Sequence, residues 1–161
     1  MGVAGSGKTT IGKALSSRLG WSFYDGDDFH SAENVEKMSQ GIPLSDEDRA
    51  KWLEILSDLI AEKYQAGEHL ILACSALKRS YRQELRKSGA PIFFIFLEGS
   101  FDLVLKRMEK REDHYMKTGM LESQFDILEP PENALHLCIE RPITALVEES
   151  IALIEEISRQ W

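Results

Sequence analysis

The sequence predicts an α/β fold in which a parallel β-sheet lies between two layers of helices. Two continuous apolar runs of strand length, HLILAC (69–74) and PIFFIFL (91–97), are typical of strands that a parallel sheet buries on both faces. Segments with apolar residues at helical spacing alternate with these runs along the chain. Because strands and helices alternate, we expect neighbouring strands to run parallel and to be joined by helical crossovers.

The first half of the chain predicts two helices and a short strand. A helix after residue 7 presents one apolar face, formed by Ile11, Ala14, Leu15 and Leu19. WSFYD (21–25) is expected to be the strand. Ser45, followed by acids at 46–48, predicts a second helix start, and Gly67 predicts the end of that helix. Its apolar side carries Trp52, Leu56, Leu59, Ile60 and Tyr64.

The second half of the chain continues the alternation. We expect a helix at about 78–87, between the two apolar runs, and another at about 101–111. ALHLCI (134–139) predicts the last strand. A closing helix follows, with apolar residues at Ile143, Leu146, Val147, Ile151 and Ile154. Residues 1–161 are therefore expected to form a single domain.

Composition and charge exclude several classes of function. A net charge of −8 argues against extended nucleic-acid binding, which needs a basic surface. No apolar run approaches the roughly 20 residues that cross a bilayer, and the start does not read as a signal peptide. Cys74 and Cys138 both lie in apolar runs, so we expect them to be reduced core residues of a cytoplasmic protein.

The stretch GVAGSGKT (2–9) satisfies the phosphate-loop pattern G-x-x-x-x-G-K-[ST]. Its glycines let the backbone turn tightly and direct N–H groups at phosphate oxygens, and the following helix adds its positive dipole end. Lys8 can reach the β- and γ-phosphates of ATP, and the Thr9 hydroxyl can ligate Mg²⁺. The expected nucleotide-binding residues here are Gly2, Gly5, Ser6, Gly7, Lys8, Thr9 and Thr10.

A phosphate loop normally follows a buried strand, whereas only Met1 precedes Gly2 here. We therefore expect the first strand of the fold to be absent from this chain. The strands at 69–74 and 91–97 would then lack a shared neighbour, leaving ladder groups unpaired at about 1–3 kcal/mol each. Direct pairing of those two strands, or another part of this chain filling the gap between them, would contradict this expectation.

The rest of the sequence favours a small-molecule kinase over other nucleotide-binding proteins. It contains no Asn-Lys-x-Asp, which would indicate guanine recognition. The apolar strand at 69–74 ends in Cys74-Ser75 rather than in the acidic residue expected of a motor or helicase. The short chain, the acids that end and follow the predicted strand at 21–25 and a basic segment near residue 110 all suit a kinase.

Four stretches resemble the short, P-loop type of gluconokinase, in order and over essentially the whole chain. They are MGVAGSGKTTIG, YDGDDFHSAENVEKMSQGIPLSDEDRAKWL, CSALKRSYRQELR and HYMKTGMLESQFDILEPP. The resemblance implies ATP- and Mg²⁺-dependent phosphorylation of D-gluconate to 6-phosphogluconate, by a homodimer. It also implies a three-layer fold like that of shikimate and nucleoside monophosphate kinases. The alternatives are a kinase for another small molecule, of the shikimate or nucleoside monophosphate type, and a nucleotide-binding regulatory module without transfer activity.

Acids follow the predicted strand at 21–25 in the stretch YDGDDFH. Asp25 and Asp27 alternate, so we expect both to project from the strand end toward the phosphates. By resemblance to shikimate kinase, Asp25 would hold a Mg²⁺-bound water and Asp27 would act as base on the substrate hydroxyl. Asp28 is better explained as a solvated turn acid. His30 is a candidate for lining the substrate pocket, and a structural role at a helix start is its alternative.

Gluconate carries a carboxylate and several hydroxyls, so its pocket needs cations and hydrogen-bond donors. Lys78, Arg82 and Arg86 are spaced four apart and predict a basic stripe on one helical face. Ligands bind at the carboxyl edge of a parallel sheet, which favours Ser75, Lys78 and Arg82 for substrate and leaves Arg86 on the surface. Arg49 is a second candidate, with a helix-face salt bridge as its alternative.

A mobile lid is expected at about 112–124, where apolar periodicity is weak. Such a lid closes over ATP and excludes water. Arg107 and Arg111 are both candidates for stabilising charge on the transferred phosphoryl group, and surface charge is the alternative for each. His114 and Gln124 match family positions near the substrate.

The adenine base is expected near ERPI (140–143), where a loop follows the last strand. This loop, which includes Pro142, would run past the base. The same residue also suits the first turn of the closing helix, and the two roles are compatible.

Overall fold

The computed structural model describes residues 1–110 and 118–159, and its first half contains three α-helices, one short 3₁₀ helix and two strands. These are α1 (Lys8–Leu19), β1 (Ser22–Asp25), a short 3₁₀ helix (Gly26–Phe29), α2 (Ala32–Ser39), α3 (Asp46–Gln65) and β2 (Leu70–Ala73). The second half contains α4 (Arg79–Arg86), β3 (Ile95–Glu98), α5 (Phe101–Glu109), α6 (Thr118–Ile127), β4 (Leu135–Cys138) and α7 (Ile143–Ser158). The order of alternating elements agrees with the predicted α/β fold.

The strands form two parallel pairs. β1 pairs with β2, with Ser22 opposite Leu70, and β3 pairs with β4, with Ile95 opposite Leu135. The parallel pairing predicted from the apolar runs is therefore confirmed. The strands nevertheless make two two-stranded sheets rather than one continuous sheet.

Met1 and Gly2 connect the two pairs through backbone hydrogen bonds. The Leu97 N–H donates to the Met1 carbonyl at 2.9 Å, and the Met1 amino group donates to the Ile95 carbonyl. On the other side, the Gly2 N–H donates to the Ser75 carbonyl at 3.2 Å. β2 and β3 do not pair directly with each other, as expected from the sequence. Met1 and Gly2 nevertheless occupy part of the gap between them, so the expectation that this position of the fold is left empty is not met in full.

The apolar core lies on both sides of the strands. Along β2, Ile71 packs against one buried cluster, whereas Leu70 and Leu72 pack against the other. Side chains of α1, α5, α6 and α7 form the first cluster, and those of α3 and α4 form most of the second. Alternation of successive strand residues between two faces explains this three-layer arrangement.

Several details differ from the sequence-based expectations. β3 starts at Ile95 rather than at residue 91, because Pro91 has no N–H and Phe93 is exposed. Tyr64, in the last turn of α3, extends past the core and is 53% exposed, while Leu53 is buried. Cys138 is exposed because β4 is buried on only one face, so its assignment to the core is wrong.

Cys74 lies in the core, as the sequence predicts. Cys74 is buried, and burial raises the pKa of its thiol to about 11. Neither cysteine forms a disulfide. In the described ranges, no helix combines the length and apolar character needed to span a membrane.

Candidate active site

The phosphate loop is shaped by glycines in the left-handed region. Gly5 has φ 75°, and Gly7, which precedes α1, has φ 102°. A Cβ on Gly5 would lie 2.7 Å from Met108 Cγ, so packing as well as backbone conformation requires glycine at this position. The loop therefore leads directly into the N-terminus of a helix, where N–H groups and the helix dipole favour phosphate.

Two polar side chains of the loop fit an anionic ligand. Lys8 Nζ donates to the Val3 carbonyl at 2.9 Å, which keeps the ammonium folded over the loop. The Ser6 hydroxyl is buried and has no hydrogen-bond partner in the described part of the chain. A phosphate bound in this loop would supply an acceptor close to both groups.

Thr9 and Asp25, the two predicted magnesium ligands, are in direct contact. The Thr9 hydroxyl donates to Asp25 Oδ2 at 2.7 Å, and Asp25 Oδ1 accepts from the Asp27 N–H at 3.2 Å. No group of three or more His, Cys, Asp or Glu side chains in the described ranges could form a metal cage. A hydroxyl and one carboxylate suit Mg²⁺, which completes its coordination with waters and phosphate oxygens.

Asp27 lies beyond the end of β1, in the 3₁₀ helix. Strand alternation therefore does not extend to it, and its side chain is 80% exposed. His30 Nε2 lies 3.9 Å from Asp27 Oδ1, and the His30 ring stacks on Trp52 with centroids 4.4 Å apart. Burial, with a smaller contribution from the positive charge of Arg49, lowers the pKa of His30 even though Asp27 raises it.

A cavity of about 300 Å³ lies between the start of α3, the residue that precedes α4, and α6. Its walls are formed by Pro43, Leu44, Ser45, Asp46, Arg49, Lys78, Ser123 and Ile127. The structure thus brings Arg49 and Lys78, two candidates for substrate binding, to one cavity. Ser75 and Arg82 do not line it.

Asp46 is the residue of this cavity that sequence reasoning missed. Both of its carboxylate oxygens lie 2.8 Å from Lys78 Nζ, and the Tyr81 hydroxyl donates to Oδ1. The hydrogen bond to Lys78 is the main cause of a lowered pKa for Asp46, and the same bond raises the pKa of Lys78. The sequence showed Asp46 only as an acid in the first turn of a helix.

Arg82 is buried, and its guanidinium holds the turn between β2 and α4. Its Nη1 donates to the Ala76 carbonyl at 2.9 Å and to the Leu77 carbonyl at 3.1 Å. Ala76 has φ 45°, a conformation that is unfavourable for a residue other than glycine. Arg82 therefore stabilises a strained turn, and its contact with substrate stays a prediction.

The predicted basic stripe does not form as a single face. Lys78 caps α4 in an extended conformation, so it is outside the helix and the spacing rule does not apply to it. Arg82 is buried, whereas Arg86 lies on the surface, with its guanidinium 5.2 Å from the centre of the Phe94 ring.

Gln124 on α6 contacts the phosphate loop. Its Oε1 accepts a hydrogen bond from the Ala4 N–H at 2.7 Å. The second half of the predicted lid, 118–124, is helical, and its Leu121 is fully buried. Arg111 and His114 lie outside the described residues, as does the first half of the lid.

Arg107 and Pro142 lie around the end of β4. Arg107 Nη2 donates to the Ile139 carbonyl, which places this side chain beside the loop predicted to pass the adenine. Pro142 is the N-cap of α7, and its carbonyl accepts from the Leu146 N–H at 3.2 Å. The structure thus associates Arg107 with the loop that follows the last strand.

Comparison with known proteins agrees with this arrangement. The shikimate kinase family model matches residues 4–141. The thermosensitive gluconokinase of Escherichia coli (strain K12) is 48% identical over 82% of this chain and 71% of its own length. The crystal structure of a gluconokinase from Sinorhizobium meliloti 1021 has a TM-score of 0.88 and 38% identity, covering 99% of this chain and 94% of its own. Shikimate kinase from Aquifex aeolicus vf5, at 23% identity and a TM-score of 0.58, shares the fold, with coverage of 98% of this chain and 95% of its own.

Replacing Lys8 tests the phosphate loop. We expect Lys8→Ala to weaken ATP binding by about 10- to 100-fold, because a charge-assisted contact to phosphate is lost, and to lower activity in parallel. Isothermal titration calorimetry with ATP measures the affinity. Lys13→Ala, an exposed lysine on the same helix, is the matched control. An unchanged kcat in Lys8→Ala would refute the assignment of the loop.

Replacing Arg82 separates its structural contact from a substrate contact. We expect Arg82→Ala to lower the free energy of unfolding by about 1–3 kcal/mol, since the Ala76 and Leu77 carbonyls lose their hydrogen bonds from the guanidinium. Urea unfolding measures this, with the exposed Arg79→Ala as control. If Arg82 also holds the substrate, KM for the phosphoryl acceptor should rise far more than KM for ATP. Unchanged stability would contradict the role assigned to the turn contacts.

Proposed function

Because the chain belongs to the family of gluconokinases, whose fold the shikimate kinase model describes, we propose that it phosphorylates D-gluconate. The γ-phosphoryl group of ATP is transferred to a substrate hydroxyl, which gives 6-phospho-D-gluconate and ADP. ATP is the donor and Mg²⁺ its partner in this proposal.

One observation supports the proposal above the others. The site has a donor half, which is the phosphate loop, and an acceptor half, which is the cavity. Two consecutive residues of α6 contact these halves: Ser123 lines the cavity, and Gln124 accepts a hydrogen bond from the Ala4 N–H of the loop. A cavity containing two cations therefore lies next to a phosphate loop. Adjacent donor and acceptor sites of this kind provide the positioning on which phosphoryl transfer depends.

The donor half of the site is assigned as follows. The glycines, Ser6 and Thr10 of the loop bind the phosphates, and Lys8 neutralises the charge that develops on the β- and γ-phosphate oxygens. Mg²⁺, when bound at Thr9 and Asp25, would neutralise phosphate charge there. Arg107 and Pro142 lie beside the nucleotide base in this proposal. Arg111 stabilises the charge on the transferred phosphoryl group.

Asp27 is proposed as the general base. Its exposed carboxylate accepts the proton of the substrate hydroxyl as that oxygen forms a bond to phosphorus and the bond between phosphorus and the leaving ADP oxygen breaks. His30 lies beside Asp27 and, with a pKa lowered mainly by burial, favours the neutral imidazole that can hydrogen bond to a hydroxyl.

The acceptor half is assigned to residues around the cavity. Lys78 and Arg49 bind the polyhydroxy acid there. We propose further substrate contacts from Ser75, Arg82 and Gln124, and one from His114 by resemblance. The proposal also includes a cytoplasmic homodimer that acts without nucleic acid or membrane. The resemblance supports the homodimer, the free cysteines suit the cytoplasm, and the net charge of −8 argues against nucleic acid.

An acceptor panel tests the proposed function against its alternatives. ATP and Mg²⁺ are incubated with gluconate, shikimate and nucleoside monophosphates, and ADP release is followed. We expect turnover with gluconate alone. Turnover of a monophosphate but not of gluconate would show another small-molecule kinase, and the absence of turnover with every acceptor would favour a regulatory module.

Replacing Asp27 tests the chemical step. We expect Asp27→Asn to lower kcat by about 100-fold or more while ATP affinity is retained, because the amide cannot accept the hydroxyl proton. The matched control is Asp28→Asn, which changes the neighbouring acid. Steady-state kinetics and calorimetry measure the two quantities. A kcat close to the wild-type value in Asp27→Asn would refute Asp27 as the base.

A further inference from the structure

We propose that Asp46 and Lys78 act together as a pair that binds a hydroxyl group of the acceptor, and that Asp46 thereby determines specificity for a polyhydroxy acid. This inference rests on the proposed function and deepens it. It assigns a role to an acid within a cavity that was expected to be basic.

The pair is held in a defined position. Lys78 Nζ lies 2.8 Å from both oxygens of Asp46, and the hydroxyl of the buried Tyr81 donates to Oδ1. Lys78 Nζ and the Arg49 guanidinium lie 5.5 and 5.6 Å from the centre of the Tyr81 ring. One aromatic side chain therefore fixes the carboxylate and lies against both cations of the cavity.

The paired charges favour a hydroxyl over a carboxylate as their ligand. A substrate carboxylate approaching Lys78 would meet the like charge of Asp46 and would compete with it for the ammonium. A hydroxyl does not compete, because it can donate to Asp46 and accept from an N–H of Lys78 at the same time. Asp46 is 57% exposed at its side chain, so such a ligand can reach it.

The charge balance of the cavity indicates that Arg49 binds the carboxylate of the substrate. One carboxylate and two cations line the described part of the cavity, so its net charge is +1, which matches an acid with a single negative charge. With Lys78 neutralised by Asp46, Arg49 is the remaining cation. In the described part of the chain its hydrogen bonds all use Nη1, to Leu44, Ser45 and the Tyr81 hydroxyl, and a guanidinium has further donors for a carboxylate.

The test compares Asp46→Asn with wild type on gluconate and on analogues that each lack one hydroxyl. We expect kcat/KM for gluconate to fall by about 10- to 100-fold in Asp46→Asn, mainly through KM. With the analogue that lacks the recognised hydroxyl, the two proteins should have the same kcat/KM. Glu47→Gln, the next residue in the same helical turn, is the control and should match wild type throughout.

Two results would overturn the inference. A lower KM for gluconate in Asp46→Asn would mean that Asp46 competes with the substrate carboxylate for Lys78. An equal loss on every analogue would mean that Asp46 only maintains the structure. Lys78→Met gives the same comparison if Asp46→Asn does not fold, and it should lose discrimination for the same hydroxyl. Wild-type turnover of gluconate is measured first, because its absence would refute the proposed function and this inference with it.

Discussion

The backbone hydrogen bonds of Met1 and Gly2 hold the phosphate loop between the two strand pairs. Leu97 N–H donates to Met1, and Gly2 N–H donates to the Ser75 carbonyl just after β2. These bonds fix where the loop begins relative to the carboxyl ends of the strands. Asp25, which ends β1, consequently lies against Thr9 at the start of α1. The position of the phosphate loop relative to Asp25 thus depends on the backbone hydrogen bonds of Met1 and Gly2 to the strands and the residue that follows β2.

The turn between β2 and α4 connects that donor half to the acceptor cavity. Arg82 holds the carbonyls of Ala76 and Leu77, and the Glu129 N–H donates to the Leu77 carbonyl at 3.0 Å. Lys78 follows immediately and lines the cavity. A buried guanidinium at this position is expensive to desolvate, and two strong hydrogen bonds offset that cost. Rigid support of this kind would position Lys78, which we propose as a substrate contact.

The sequence predicted the features that local chemistry determines. The phosphate loop, the apolar strand segments and the Ser45 cap of α3 each depend on a short stretch of residues, and the structure contains all three. Contacts between distant segments could not be predicted in this way. Asp46 and Lys78 are 32 positions apart, and nothing in either stretch indicates that they meet. The single basic stripe predicted for Lys78, Arg82 and Arg86 did not form, because Lys78 precedes the helix that contains the two arginines.

The position of the phosphate on the product tests the account most directly. In this account Arg49 holds the acid group and Asp27 takes the proton of a hydroxyl distant from it, so the terminal C6 oxygen becomes phosphorylated. Phosphorus–proton correlation NMR of the product from gluconate and ATP should show phosphorus coupled to a CH₂ group. Coupling to a single CH proton, or to no carbon-bound proton as in an acyl phosphate, would contradict it.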